Sequence, residues 1–242
     1  MATFVLISGA WHGAWCWDLV VPCLAAAGHK VVAPDLIGMG DDPTPPAHAS
    51  LTAWGDQVAE LVRAEVEPVI LVGHSRGGLV ISEAAERVAE RIRTLVYLAA
   101  FLIPSGRSLG EVAAENAIQD APQILLPQPD GTALVRPEAV GPVFYNLTPP
   151  DLVELAQSKL GPEPMSSFGT PVMVTPERFG VVPRVYIECT EDRALPIASQ
   201  RAMQAALPCA SVFTLKSDHS PFFSQPTELA EILLRLAQPG GG

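Results

Sequence analysis

Val69-Ile70-Leu71-Val72-Gly73-His74-Ser75-Arg76-Gly77-Gly78 is the stretch on which the fold turns. Pro68 stops whatever precedes it, and Val69–Val72 has the apolar, β-branched character of a buried strand. Arg76–Val88, just beyond, carries a helical pattern. The junction matches G-x-S-x-G, the pattern of a nucleophile elbow. A strand that reverses sharply into a helix leaves its central residue strained, with the side chain projecting. Glycines on either side let strand and helix backbones pass closely. A serine so placed lies at the positive end of a helix, where an oxyanion is stabilised. The competing reading is a Ser–Gly turn that only caps a helix. The strand before and the helix after favour the elbow and make Ser75 the candidate nucleophile.

Outward from this junction the same alternation repeats. Thr3–Ser8 reads as a buried strand, Leu19–Ala27 as a helix ended by Gly28, and Lys30–Ala33 as a strand closed by Pro34. Ser50 can cap a helix whose apolar positions Leu51, Trp54, Val58, Leu61 and Val62 recur at spacings of three and four. Thr94–Leu102 is a strongly apolar strand. Arg184–Glu188 and Ser211–Leu215 are strands, with helices at Ile197–Leu207 and Thr227–Leu236, and Gln238–Gly242 reads as a frayed end. Strands that are apolar throughout and separated by helices indicate an α/β fold with a mostly parallel sheet covered on both faces.

Between Ser105 and Val182 the alternation breaks, and 11 of the 24 prolines fall there. Pro127–Pro137 carries an Asp130-Gly131 turn between two short apolar segments, which predicts a hairpin. Thr148-Pro149-Pro150-Asp151 predicts a capped helix start running to about Leu160. An insertion of this size with its own elements reads as a cap rather than a loop. The expected organisation is therefore a core domain of residues 1–104 and 183–242 with a cap of 105–182.

A serine hydroxyl needs a base, and the five histidines are His12, His29, His48, His74 and His219. After an elbow of this kind the order is Ser, acid, His, with the histidine in the loop following the last strand. His219, in Lys216–Pro221, is the one that qualifies. His74 is expected to pack behind the elbow, and His29 and His48 to be solvated. The orienting carboxylate belongs in the loop after the penultimate strand, which offers Glu191 and Asp192. Asp192 is preferred, with Glu191 as a surface residue and Asp218 facing away from the imidazole Nδ1. Two backbone N–H donors are needed for the oxyanion, expected from Arg76 and, in the loop Gly9–Gly13, from Ala10.

Composition narrows the partners. Of the 242 residues, 48% are hydrophobic and 17% charged, enough apolar content for a large core and too much for disorder. The longest apolar run, Leu95–Ile103, is about half a membrane span. Fifteen basic residues against 26 acidic ones leave a net charge of −11, which disfavours nucleic acid and anionic membranes. Cys16, Cys23, Cys189 and Cys209 have neither CxxC spacing nor a ligand pattern, so buried thiols and no metal site are expected. Without a basic n-region or an h-region at the start, the expected location is the cytoplasm. A homo-oligomer stays open.

The segments FVLISGAWHGAWCW (4–17), APDLIGMGDD (33–42), GHSRGG (73–78), YIECTEDRALP (186–196) and SDHSPFFSQP (217–226) resemble the α/β-hydrolase superfamily. More narrowly they are similar to the branch of plant methylesterases, hydroxynitrile lyases and bacterial carboxylesterases, including pyrethroid-hydrolysing ones. The resemblance implies a Ser75–Asp192–His219 triad, no cofactor, and a pocket between sheet and cap. Two departures matter. Many members have His-Gly where this chain has Ser8-Gly9. The lyases resemble a pattern with threonine at the place of Gly9 and lysine directly after the histidine, where this chain has Ser220. Both lyase side chains are missing, which favours hydrolysis through an acyl-enzyme.

The expected substrate is a small to medium hydrophobic carboxylic ester, with aryl and pyrethroid-like esters among the candidates. Its pocket is expected to draw on Trp11, His12, Phe101, Leu125, Phe144, Tyr145, Met165, Phe168, Leu195 and Phe222. Two alternatives are carried forward: a lyase or other C–C cleaving enzyme on the same triad, and a ligand-binding receptor that kept the pocket and lost turnover.

Overall fold

The computed structural model describes residues 1–115 and 124–238; of the expected frayed end, residues 239–242 lie outside them. Four strands open the chain: β1 (Thr3–Ile7), β2 (Lys30–Val32), β3 (Val69–His74) and β4 (Ile92–Leu98). Three short ones follow, β5 (Leu125–Pro127), β6 (Thr132–Val135) and β7 (Glu163–Pro164), before β8 (Arg184–Cys189) and β9 (Ser211–Leu215). The longer helices are α1 (Val21–Ala26), α2 (Leu51–Arg63), α3 (Gly77–Val88), α4 (Leu109–Glu115), α5 (Pro150–Lys159), α6 (Ile197–Ala206) and α7 (Pro226–Ala237).

The main sheet has the order β2-β1-β3-β4-β8-β9, with every neighbouring pair parallel. Alternate side chains feed two cores. Val5, Ile7, Leu71, Leu95 and Tyr97 pack on one face with Trp54 and Val58 of α2 and Leu79 of α3. Phe4, Leu6, Ile70, Val72, Val96 and Leu98 pack on the other with Leu24 of α1 and Leu229 and Leu233 of α7. Covering both faces is what permits β1 and β3 to be apolar at successive positions. Helix α2 starts where its sequence says, with Ser50 Oγ accepting the Ala53 N–H at 3.1 Å.

Several elements differ from expectation for identifiable reasons. β4 ends at Leu98, because Ala99 turns the backbone with φ 41°. Residues 99–103 stay buried as a loop, so their apolarity signalled burial and not a strand. The expected hairpin forms, with Asp130 Oδ1 accepting from Thr132 N at 3.0 Å and Gly131 at φ 85°, but β7 adds a third strand to it. Helix α4 was not expected; Ser108 Oγ and Glu111 cap it reciprocally. Thr148 does not cap α5, since its hydroxyl donates to Asp218 Oδ2 at 2.9 Å. Cys23 is exposed, and His29 is half-buried and accepts the Ala2 N–H.

From β1 the chain steps outward to β2, then crosses to β3 on the other side of β1. Loops leaving the carboxyl ends of β1 and β3 are therefore neighbours, at the point where such sheets bind ligands. Among the described residues no helix is long and apolar enough to cross a membrane.

Candidate active site

Ile7 lies opposite Gly73 in the β1–β3 ladder, so the segments Ser8–Gly13 and His74–Gly78 emerge side by side. Ser75 sits between β3 and α3 with φ 53°, a left-handed conformation that side-chain-bearing residues rarely adopt. Three main-chain bonds hold it there. Ser75 N donates to Leu98 O at 3.2 Å, and Ser75 O accepts from Gly78 N and Phe101 N at 3.0 Å each. The close passage of α3 requires Gly78, because a Cβ there would stand 2.4 Å from Phe101 O. Gly9 is required in the same way: its Cβ would meet Ser75 Cβ at 2.8 Å.

His219 follows β9 and is buried, with Nδ1 2.7 Å from Asp192 Oδ2. Asp192 is itself held. Its Oδ1 accepts from Ala194 N at 2.9 Å and Leu195 N at 2.7 Å, and its Oδ2 from Gln200 Nε2 at 3.3 Å. Gln200, on α6, also spans Cys189 at both N and O, which ties the Asp192 loop to the end of β8. No local motif points to Gln200, whose role is defined by contacts across the loop. Behind the imidazole, His74 Nε2 is 2.7 Å from His219 O, so this nitrogen carries the His74 proton. Burial holds His74 well below the ordinary imidazole value, and it stays neutral. Glu191 is exposed, as expected. Asp218 faces away from the imidazole and accepts from Ser220 N, Ser224 Oγ, Leu147 N and Thr148 Oγ1.

Ser75 and His219 open onto one cavity of about 560 Å³. Ala10 and Arg76 line it too, and neither backbone N–H is given to another group among the described residues. Of the expected pocket residues, Trp11, Phe101, Leu125, Phe144, Phe168 and Leu195 line this cavity. His12, Tyr145, Met165 and Phe222 do not. His12 is folded into its own loop, with Nδ1 2.6 Å from Ala10 O and Nε2 2.6 Å from Tyr145 Oη. That second contact also withdraws Tyr145. Burial lowers the His12 pKa to about 4. Phe222 is wholly buried, edge-on to His74 at 5.0 Å. Met165 leads into the short helix Ser166–Gly169, whose Phe168 faces the cavity in its place. Leu109, Gly110, Ala113 and Ala114 of α4 also line it, together with Ile124, Pro142, Val143, Ala194 and Arg193.

A hydroxyl on a strained turn, an imidazole oriented by a buried carboxylate and two unspent N–H groups are the components of nucleophilic acyl chemistry. On a doubly covered parallel sheet they define the α/β-hydrolase class. Residues 4–232 match the alpha/beta hydrolase family, and the chain belongs to it.

Particular relatives sharpen the comparison. The chain is 34% identical to Methylesterase 7 of Arabidopsis thaliana, over 97% of this chain and 95% of that protein. The crystal structure of the Arabidopsis methylesterase MES16 superposes with TM-score 0.84 at 31% identity, covering 98% of this chain and 99% of that one. A pyrethroid hydrolase from Sphingobium faniae JZ-2 superposes with TM-score 0.86 at 30% identity, covering 98% and 97%. These relatives fall in the branch that the sequence resembles.

Proposed function

We propose that this chain is a serine carboxylesterase acting on small to medium hydrophobic esters through an acyl-enzyme. The observation that carries the reading is the Asp192–His219 pair opening, with Ser75, onto one apolar cavity beside two free N–H groups. Ser75 Oγ attacks the ester carbonyl, and His219 Nε2 takes the hydroxyl proton. The oxyanion that forms accepts from Ala10 N and Arg76 N. His219 then protonates the leaving alkoxide, and water repeats the sequence on the acyl-enzyme. Asp192 keeps Nδ1 protonated and steadies the imidazolium.

The cavity supports the substrate class. Its volume suits a drug-sized or smaller ligand, and its lining is chiefly Trp11, Phe101, Phe144, Phe168 and aliphatic side chains. In this reading the described residues of 105–182 form the cap over the site. The relatives named methylesterase and pyrethroid hydrolase agree with ester hydrolysis.

A fluorophosphonate probe tests the proposal directly, used with a panel of p-nitrophenyl esters of increasing acyl length. Wild-type labelling that vanishes in Ser75→Ala, with ester turnover lost in parallel, is the expected result. An unlabelled, inert wild type would overturn it in favour of a binding protein. Cyanohydrin cleavage without ester hydrolysis would overturn it in favour of a lyase.

A further inference from the structure

The residue after the nucleophile is an arginine whose side chain is 1% exposed, paired with Glu163, whose side chain is 0% exposed. Arg76 Nε donates to Glu163 Oε1 at 3.0 Å, and Nη2 donates to Glu163 Oε2 at 3.4 Å. The same Nη2 donates to Gly9 O at 3.1 Å, and the guanidinium carbon lies 4.1 Å above the Trp54 ring. Glu163 also accepts from Trp11 N at 3.1 Å through Oε2 and from Ser167 Oγ at 3.2 Å through Oε1. The pair thus joins three pieces: the start of α3, the loop after β1, and β7 of the small sheet.

The loop between these bonds contains Ala10. In a trans peptide unit the C=O and N–H point in opposite directions, and the described residues contain no cis bond. Gly9 O is held by Arg76, so the N–H of the same unit, that of Ala10, points away from the guanidinium. Ala10 lines the cavity beside Ser75. In the next unit, Ala10 O faces His12 Nδ1 at 2.6 Å and the Trp11 N–H is held by Glu163. Both peptide units around Ala10 are therefore clamped, and Trp11, at φ 64°, is kept in an otherwise unfavourable conformation. Stability alone is a poor reason for this pair. A buried ion pair replaced by well-packed apolar residues is often neutral or stabilising, whereas breaking it from one side is costly.

We propose that Arg76 and Glu163 are positioning residues for the oxyanion site: Arg76 supplies one donor from its backbone while its side chain aims the other, Ala10 N–H. Glu163 neutralises the guanidinium and removes Trp11 N–H from competition. The proposal rests on the serine-esterase reading and deepens it. Loss of the pair spares ground-state binding and costs transition-state stabilisation, because the aimed donor matters most once negative charge develops on oxygen.

The test compares the wild type with the double variant Arg76→Met/Glu163→Leu, which fills the space without charge, and with Arg76→Lys and Glu163→Gln. Three quantities are read: the thermal midpoint, kcat and KM on a p-nitrophenyl ester, and affinity for a trifluoromethyl ketone. In that inhibitor Ser75 Oγ adds to the carbonyl carbon, the serine proton passes to His219, and the new oxyanion occupies the donor site. The double variant is expected to fold with a thermal midpoint a few degrees below the wild type, because Trp11 N–H loses its acceptor, and with kcat lower by about 10²-fold and KM within about threefold. Trifluoromethyl ketone affinity should fall in step with kcat/KM, a readout that a purely structural pair would not move. Arg76→Lys, still able to donate to Gly9 O, should recover part of the loss. A folded double variant with wild-type kcat and inhibitor affinity overturns the proposal. Should the double variant fail to fold, a wild-type kcat in both single variants overturns it equally. A wild type inert to fluorophosphonate sinks the esterase reading, and this proposal with it; an active wild type with an unaffected double variant sinks this proposal alone.

Discussion

Asp192 uses both of its oxygens, Oδ2 toward His219 Nδ1 and Oδ1 toward two backbone N–H groups. Asp192→Asn preserves the shape but not the tautomer control, so kcat should fall by roughly 10³–10⁴ with little change in KM. Glu191→Ala, at an exposed neighbour, should leave kcat within about twofold. Steady-state kinetics on one ester separates the two. His12 makes a different prediction. Its pKa is about 4 in the folded protein against an ordinary 6.5, so below 6.5 the unfolded chain takes up a proton that the folded one refuses. The stability this histidine lends is complete above 6.5 and is lost as pH falls toward 4, on the order of 3 kcal/mol, with His74 acting in the same direction. Urea midpoints at pH 7 and pH 4.5 check it, and a pH-independent midpoint would contradict it. Ser75, Asp192 and His219 were legible as candidates because each follows the end of a strand that the sequence marks. Glu163 and Gln200 were not, since each acts through partners brought to it only by folding.

Helix α3 approaches the loop after β4 so closely that Gly78 has no room for a methyl group against the backbone of Phe101. Gly78→Ala should destabilise the protein by about 1–3 kcal/mol and disturb the Ser75 turn, since Gly78 N and Phe101 N both bond Ser75 O. A lower thermal midpoint by circular dichroism, with reduced kcat in the folded fraction, is the expected outcome. β1 and β3 were readable as unbroken apolar runs and α2 by its clean apolar period, with Pro68 marking the start of β3 and Ser50 that of α2. β7 spans two residues, too few for any period, and is a strand only because β6 pairs with it. α4 gives a weak helical signal by itself, although Ser108 and Glu111 spell a capping box.

Across the whole molecule, the loop bearing His219 is fastened to the inserted segment by Asp218, which is wholly buried. Its Oδ2 accepts from Leu147 N and Thr148 Oγ1 at 2.9 Å each, and its Oδ1 from Ser220 N and Ser224 Oγ. Asp218→Ala would leave several buried donors unsatisfied at once. A loss of about 3 kcal/mol or more is expected, with kcat reduced because His219 is the next residue. Urea denaturation monitored by tryptophan fluorescence measures the first effect; an unchanged midpoint would show that this tie is not what joins the two parts.

Apolar periodicity, glycine placement and the order serine, acid, histidine are properties of short windows, and they alone determined the parallel sheet, the elbow and the three candidate catalytic positions. Folding decided which aromatic side chains reach the cavity, which carboxylate neutralises Arg76, and where β4 stops. Those outcomes depend on groups far apart in the chain, 87 positions for Arg76 and Glu163 and 133 for His12 and Tyr145, competing for the same buried hydrogen bonds, and no local pattern encodes that competition.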